Sequence, residues 1–271
     1  MIDQAPPPVI VTHGDSPVIL GMPHGGTGLD AETAARLDDN GLALADTDWH
    51  IDRLYADLLP GVTTVRATFH RYVIDANRAP SGESLYPGQN TTGLCPLTDF
   101  DGRPLYQPGK EPDQAEIARR DAAYHRPYHA ALAAEIARVK ALHGIAILYD
   151  CHSIRSVIPF LFDGTLPDFN IGTDNGKTCA SAIEKSVTEI AGSATGFSSI
   201  VNGRFRGGWT TRHYGRPPEG VHAIQMELAQ KTYMRESPPW DYAPEAADRI
   251  RPHLKTILHE LDRLGRSGEL K

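Results

Sequence analysis

Residues 145–156 read IAILYDCHSIRS, and this stretch decides the fold. An apolar strand runs from Ile145 to Tyr149 and delivers a histidine, His152, just beyond its end. In open α/β sheets, ligands bind at the carboxyl ends of the strands. Short apolar runs of the same kind alternate with helical patterns along the chain, which predicts the α/β class.

The other predicted elements follow from hydrophobic periodicity. Apolar runs predict strands at residues 9–12, 18–22, 62–67, 73–75, 145–150, 158–162, 169–172, 199–201 and 222–227. Amphipathic stretches predict helices at residues 31–43, 48–58, 114–142, 179–191 and 244–264, with a break or a kink near Pro127 and a bend at Pro252. Two Gly- and Pro-rich stretches, 77–112 and 202–220, are expected to form long functional loops. Because no linker divides the chain, residues 1–271 are expected to form one domain.

The composition excludes several classes of protein. The chain has 271 residues, 40% of them hydrophobic, a formal net charge of −7 and a pI near 5.9. A nucleic-acid-binding protein would carry a basic stripe, so no nucleic-acid partner is expected. The three cysteines are widely spaced, and neither a secretory signal nor a membrane-spanning run is found. We expect a cytoplasmic protein without a membrane partner, while the oligomeric state stays open.

A second histidine follows a strand in the same way as the first. In residues 19–28, ILGMPHGGTG, an apolar strand leads to His24, and Gly25 and Gly26 permit a sharp turn. Two histidines at two strand ends can converge on one cation, as the imidazole ligands of zinc do. The alternative is that His24 and His152 are loop residues that bind no ligand.

A catalytic zinc ion commonly has a third protein ligand. Residues 46–52, DTDWHID, offer Asp46, Asp48, His50 and Asp52 at the start of a predicted helix. Asp48 and Asp52 are four residues apart, so one is expected to bind the metal while the other caps the helix or forms an ion pair. The alternative is an acidic first turn that complements the helix dipole.

Arginines and one carboxylate supply further candidates. Arg71 and Arg78 bracket a short predicted strand that ends beside Asn77, and arginines at the mouth of a sheet recognise carboxylates. Surface ion pairs are the alternative for these arginines. Glu227 ends an apolar run, where a carboxylate acts either as a general base or as the partner of an arginine.

The stretch 202–220 and the longest predicted helix carry the remaining polar candidates. Gly207 and Gly208 make the loop pliable enough to close over a substrate, and its arginines are expected to bind substrate carboxylates. The substrate-binding candidates in this loop are Arg206, Arg212 and Tyr214. His125 and His129 are four residues apart, but Pro127 distorts the turn between them, so we interpret both as surface or packing residues.

Taken together, these segments resemble a known family, the N-formylglutamate amidohydrolases. The resemblance extends from about His24 to Tyr233 and rests on the motifs PHGGTG, DTDWHIDRLY, FHRYVIDANRAPSGESLYPGQNTTGLCP, DCHS, FRGGWTTRHYG and QMEL. It implies a three-layer α/β/α sandwich with a mixed, mainly parallel central sheet, similar to that of zinc carboxypeptidases and aspartoacylases. It also implies a metal-dependent hydrolase that converts N-formyl-L-glutamate, a small dicarboxylate, to L-glutamate and formate late in histidine degradation.

The resemblance implies a single Zn²⁺ ion and its ligands, although another divalent transition metal fits such a site. His24 and His152 match the two zinc histidines of the wider clan. That clan has His-x-x-Glu in its first motif, whereas Thr27 stands three residues after His24. The carboxylate ligand is therefore expected from Asp48 or Asp52.

The resemblance also implies the catalytic roles. Glu227 takes the place of the general base, and Arg71 polarises the scissile carbonyl. Asn77 and Arg78 resemble the element that holds the substrate carboxylate. Two other functions stay open, namely a zinc amidohydrolase for another N-acyl amino acid such as an N-acyl-aspartate, and a non-catalytic anion-binding relative.

Overall fold

One mixed sheet forms the centre of the fold in the computed structural model, which describes residues 6–83 and 90–270. The strands in this part of the chain are β1 Val9–Thr12, β2 Val18–Met22, β3 Thr63–Ala67, β4 Ala146–Ile154, β5 Phe169–Gly172, β6 Ser199–Val201 and β7 Val221–Ala229. They lie in the order β1-β3-β2-β4-β7-β5-β6. The β1–β3 and β5–β7 pairs are antiparallel and the other four pairs are parallel, so the expected mixed, mainly parallel sheet is confirmed.

The prediction of strands at 73–75 and 158–162 is wrong. Both runs form turns. The amide of Val73 donates to His70 O over 2.9 Å, and the second run closes on the carbonyl of Ile158 in the same way. Val73 and Ile158 are fully buried, and a short buried turn has the same apolar signature as a short buried strand.

Helices cover both faces of the sheet. Those in the described residues are α1 Ala31–Ala34, α2 Asp39–Leu42, α3 Ile51–Tyr55, α4 Gln114–Arg120, α5 Arg126–His143, α6 Ser181–Gly192, α7 Trp209–Tyr214 and α8 Pro244–Ser267. A π-helical segment, Asp121–His125, joins α4 to α5. Within the described ranges, no helix has both the length and the apolar character of a membrane span.

Several helix boundaries differ from the prediction for local reasons. The helix predicted at 31–43 is two short helices, because Asp30 and Asp38 each cap a separate N-terminus. Near Pro127, where a break or a kink is expected, the chain stays helical, and the helix type changes from π to α at Arg126. Helix α8 also continues through Pro252.

Two apolar cores lie on opposite faces of the sheet. On one face, Ile147 and Met226 belong to a cluster that includes side chains of α3, α6 and α8. On the other face, Leu148 and Ala223 pack with side chains of α5. Consecutive strand residues point to opposite faces, which explains why neighbours such as Ile147 and Leu148 enter different cores. The three-layer α/β/α arrangement is therefore confirmed.

The sheet face that packs on α5 becomes polar at the carboxyl ends of β4 and β7. Leu148, Asp150 and His152 point to this face because the side chains of a strand alternate. Asp150 pairs with Gln225, and His152 pairs with Glu227, in the parallel register of the two strands. The strands lie about 4.8 Å apart, so these four polar side chains are neighbours.

The turn after β2 lies against the chain that follows β3. The amide of Gly28 donates to Thr68 O over 2.9 Å. A Cβ atom at Gly26 would lie 2.4 Å from the carbonyl carbon of Thr68, which leaves room only for glycine. This close contact fixes the path of the loop that carries His24.

Replacing Gly26 by alanine is therefore expected to lower the free energy of unfolding by about 1–3 kcal/mol, because the new methyl group overpacks a rigid backbone contact. Gly93 is the matched control, since a Cβ atom there meets nothing within 4 Å. Urea unfolding measures both variants, and Gly93→Ala is expected within about 0.5 kcal/mol of the unmodified protein. Equal stability of Gly26→Ala and Gly93→Ala would contradict this interpretation.

Candidate metal centre and substrate cleft

Three buried side chains converge at the carboxyl end of the sheet. His24 Nδ1 lies 3.1 Å from His152 Nδ1. Asp48 Oδ2 lies 3.8 Å from the His24 nitrogen and 3.4 Å from the His152 nitrogen. All three side chains are at most 2% exposed. The structure thus brings together two imidazoles and one carboxylate that are far apart in the chain.

The donor set fits a divalent transition metal. Ligand atoms bonded at 2.0–2.1 Å to a tetrahedral zinc ion lie about 3.3–3.4 Å from one another. The three separations in the cluster, 3.1, 3.4 and 3.8 Å, bracket this value. Two imidazoles and a carboxylate are also a common ligand set of catalytic zinc, which keeps a fourth position for water or substrate.

Local backbone contacts position the three candidate ligands. His24 follows β2 by two residues, and its carbonyl accepts a hydrogen bond of 3.1 Å from the amide of Asp48. Asp48 Oδ2 in turn accepts a hydrogen bond of 3.2 Å from the amide of Ser153, next to His152 on β4. These two hydrogen bonds join the three segments that carry His24, Asp48 and His152.

Asp52, the other candidate carboxylate, lies outside the cluster. Its side chain is 51% exposed and forms an ion pair with Arg66. Helix α3 begins only at Ile51, after His50 in a left-handed conformation, so Asp48 and Asp52 do not share a helical face. The expectation that Asp48 and Asp52 share one face of a helix is therefore wrong. Asp52 is a surface residue in an ion pair and does not belong to the cluster.

The electrostatics of the two histidines suit a bound cation. Burial, together with the neighbouring Arg71 cation, lowers the pKa of His24 to about 4, so this ring is neutral at pH 7 and able to donate a lone pair. Burial alone would lower the pKa of His152, but Asp150 and Asp48 raise it well above its usual value. The surrounding carboxylates thus favour a positive charge at this place.

A second carboxylate stands behind each histidine. Asp75 Oδ1 lies 2.7 Å from His24 Nε2, and Asp150 Oδ1 lies 3.1 Å from His152 Nε2. Metal-bound histidines usually direct their second nitrogen to such a carboxylate, which orients the ring. Sequence reasoning missed Asp75 as such a partner. Asp75 was not recognised because residues 73–75 were predicted to form a strand. The signal that could have identified it is an aspartate in an otherwise apolar run between Arg71 and Arg78.

Glu227 adjoins the cluster from β7. Its Oε2 atom accepts a hydrogen bond of 3.1 Å from Gln225 Nε2, and Gln225 Oε1 accepts one of 2.6 Å from the amide of Gly208. Burial raises the pKa of Glu227 to about 8, against the opposing effect of the His152 charge. Glu227 is thus a buried carboxyl group with a high affinity for a proton, held in a fixed orientation.

Arg71 covers the cluster on the side of His24. Its Nη2 atom lies 2.5 Å from His24 Nδ1 and 2.9 Å from His24 Nε2, and Nη1 donates to Asp46 O over 3.3 Å. The guanidinium carbon lies 4.9 Å from the centre of the Phe100 ring. Arg71 is buried, so its cation is held at a defined place next to the candidate metal ligands.

A cleft with about 610 Å³ of space free of protein atoms opens over these groups. Asn77 lies in it, with Nδ2 3.1 Å from His152 Nε2 and with Oδ1 accepting a hydrogen bond of 2.9 Å from the amide of Thr210. Arg78 and Arg204 are further cations of the cleft lining. The apolar part of the lining comprises Phe100, Ile154, Leu161 and Phe205.

Among the described residues, three of the substrate-binding candidates lie outside the lining of the cleft. Arg206 is exposed and outside the cleft lining, while Arg204, two residues earlier, belongs to it. Arg212 forms an ion pair of 3.4 Å with Asp174. Tyr214 also lies outside the cleft lining, and its hydroxyl contacts His129 of helix α5. Arg204 and Arg206 lie on the irregular backbone between β6 and α7, so the directions of their side chains could not be predicted from their spacing.

Fold and site together define an α/β protein with the donor set of a metal-dependent hydrolase at the carboxyl ends of its parallel strands. Residues 16–234 match the family model described as N-formylglutamate amidohydrolase. The chain belongs to the N-formylglutamate amidohydrolase family.

Individual relatives agree with this membership. The chain is 47% identical over 255 residues to an N-formylglutamate deformylase of Pseudomonas aeruginosa, covering 93% of this chain and 95% of that protein. It is 44% identical over 251 residues to an N-formylglutamate deformylase of Pseudomonas putida, covering 92% and 93%. The solved N-formylglutamate amidohydrolase from Ralstonia eutropha JMP134 has a similar fold, with a TM-score of 0.80 and 25% identity, over 96% of this chain and 99% of that chain.

The geometry of the cluster predicts that metal-free protein binds one Zn²⁺ ion per chain in a calorimetric titration. Replacing Asp48 by asparagine is expected to weaken binding by more than about 100-fold, since loss of even an outer partner costs 10–100-fold. Asp52→Asn is the control, because it removes the same charge four residues away on the surface. A similar loss of affinity in both variants would contradict the assignment of Asp48.

Proposed function

We propose that this chain hydrolyses N-formyl-L-glutamate to L-glutamate and formate, the reaction that the names of its relatives indicate for them. The observation that carries the proposal is the buried cluster of two histidines and one aspartate. It adjoins Glu227 in a cleft that is bordered by Arg78 and Arg204. The reaction would fall late in histidine degradation, as the family resemblance implies, and the cytoplasmic location stays a prediction.

We propose Zn²⁺ as the metal, held by His24, His152 and Asp48. When bound, it would supply Lewis-acid polarisation of the formyl carbonyl and would lower the pKa of a water molecule. The outer carboxylates would keep both imidazoles oriented with Nδ1 towards the ion. Another divalent transition metal would fit the same donors, so the titration described above, repeated with each of these metals, ranks their affinities.

Glu227 is the proposed general base. It accepts a proton from the attacking water while the water oxygen forms a bond to the formyl carbon, and it delivers this proton to the nitrogen as the carbon–nitrogen bond breaks. Burial raises the pKa of Glu227, and a cation held by the neighbouring ligands would favour its ionised form, which is the form that accepts a proton. Gln225 keeps the carboxylate oriented through its hydrogen bond to Oε2.

Arg71 is the proposed electrophilic partner. Its guanidinium is fixed between His24 and Phe100, so it need not reorganise when negative charge develops on the formyl oxygen. One well-placed donor of this kind stabilises an oxyanion by about 3–4 kcal/mol. The ring of Phe100 limits the space next to the guanidinium, which is compatible with an acyl group as small as formyl.

The two carboxylates of glutamate would be bound by Asn77, Arg78 and Arg204. Arg78 Nε donates to Thr92 O over 2.9 Å, and Arg204 Nη2 donates to Asn90 O over 3.1 Å. The backbone of one segment, residues 90–92, thus holds both arginine side chains at the cleft. Two fixed cations fit a substrate with two carboxylates better than one with a single carboxylate.

Substrate comparison tests the proposed activity directly. We expect N-formyl-L-glutamate to be hydrolysed with a kcat/KM at least about 100-fold above those of N-acetyl-L-aspartate and N-formyl-L-leucine, because the leucine analogue lacks the second carboxylate that an arginine of the cleft would bind. Formate release or amine release measures each rate. Preference for the acetylated aspartate would favour the alternative amidohydrolase, and hydrolysis of none of them would favour the anion-binding alternative.

Replacing Glu227 by glutamine keeps the shape of the side chain and removes the base. We expect kcat to fall by about 10³-fold, in the middle of the range for general acid–base catalysis, with Zn²⁺ affinity retained. Glu219→Gln is the control, because Glu219 is an exposed glutamate at the start of the same strand region. Steady-state kinetics decide the matter, and unchanged turnover in Glu227→Gln would remove this residue from the mechanism.

A further inference from the structure

Two histidines of the long helical region contact the backbone next to Asn77, a residue of the cleft lining. His125 is the last residue of the π-helical segment, and His129 lies in the first turns of α5. His125 Nε2 lies 3.0 Å from Arg78 O, and His129 Nε2 lies 2.8 Å from Ala76 O. A carbonyl oxygen can only accept, so each imidazole donates its Nε2 hydrogen to the backbone.

The two accepting carbonyls flank Asn77. This residue and Arg78 form the turn whose side chains enter the cleft, and both side chains are proposed to bind substrate carboxylate. Asp75 stabilises the same turn from within, since its Oδ1 accepts a hydrogen bond of 2.8 Å from the amide of Asn77. The histidines therefore anchor this turn at both ends from the opposite side.

The protonation state of His129 agrees with this role. Burial, together with the neighbouring His125, lowers the pKa of His129 to about 3, so the ring is neutral. Tyr214 Oη lies 3.0 Å from its Nδ1 and donates to the backbone oxygen of His129 over 3.2 Å, so this hydroxyl contacts both the ring and the backbone of His129. Tyr214, which the sequence suggested as a substrate ligand, thus contacts this histidine instead.

A third element closes the arrangement. The Trp209 ring centre lies 4.7 Å from that of His129 and 5.7 Å from that of His125. The next residue, Thr210, donates its amide hydrogen to Asn77 Oδ1. Packing of Trp209 on the histidines therefore sets the place from which the backbone fixes the Asn77 amide.

We propose that His125 and His129 are positioning residues that clamp the Asn77–Arg78 turn and so set the affinity for the substrate carboxylate. The proposal rests on the proposed function, because it assigns the turn to substrate binding. It also assigns a structural role to the π-helical segment, Asp121–His125. An inserted residue shifts the helix face, as π-helical turns at functional sites do, and brings both imidazoles to one turn.

His129→Leu tests the clamp because it keeps bulk and removes the donor, while His129→Gln keeps an N–H near the position of Nε2. We expect the KM for N-formyl-L-glutamate to rise by about tenfold in the leucine variant with kcat within about threefold, and glutamine to restore most of the affinity. When Asn77→Ala is already present, His129→Leu is expected to change KM by less than about threefold, because both substitutions act through the Asn77 side chain. His143→Leu, near the other end of α5, is the control.

Amide hydrogen exchange of residues 75–79 provides a readout that does not depend on turnover. Faster exchange in His129→Leu but not in His129→Gln would support the clamp even if the unmodified protein left N-formyl-L-glutamate intact, which would refute only the proposed function. If His129→Leu does not fold, Tyr214→Phe is a milder substitution for which an increase in KM is also expected. Unchanged KM and exchange in His129→Leu, or equal defects in the leucine and glutamine variants, would overturn the proposal.

Discussion

The site depends on the approach of three electron-rich atoms in a place that water hardly reaches. Two imidazole nitrogens 3.1 Å apart repel each other through their lone pairs unless a proton or a metal cation lies between them. The Asp48 carboxylate adds negative charge at the same place, and Asp75 and Asp150 stand behind the rings. The parallel pairing of β2 and β4 brings the two imidazoles to one edge of the sheet, and hydrogen bonds to His24 O and to the amide of Ser153 hold Asp48 beside them.

The part of the fold that depends on regular strands could be predicted from the sequence. The apolar side chains of strand β4 enter the two cores alternately, and the strand then carries Asp150 and His152. Residues 145–156 therefore indicate both that this segment is a strand and that its carboxyl end is polar. His24 was recognisable by the same logic. The runs at 73–75 and 158–162 were not, because burial of a few apolar residues does not distinguish a turn from a strand.

Site residues on irregular backbone were the harder part. Asp48 and Asp52 were indistinguishable by composition, and the left-handed conformation of His50 decided which one faces the histidines. Arg204 rather than Arg206 enters the cleft because the loop before α7 has no period that spacing could reveal. Asp75 needed the tertiary contact with His24 to become visible. Regular elements thus carry information in their period, whereas loops carry it in contacts with distant segments.

The most direct measurement is the anomalous scattering of crystals grown with Zn²⁺ and recorded above and below the zinc absorption edge. The account predicts one strong peak per chain, at about 2.0–2.2 Å from His24 Nδ1, His152 Nδ1 and Asp48 Oδ2. Absence of a peak between these atoms, or a peak held by other side chains while the two rings point apart, would contradict it.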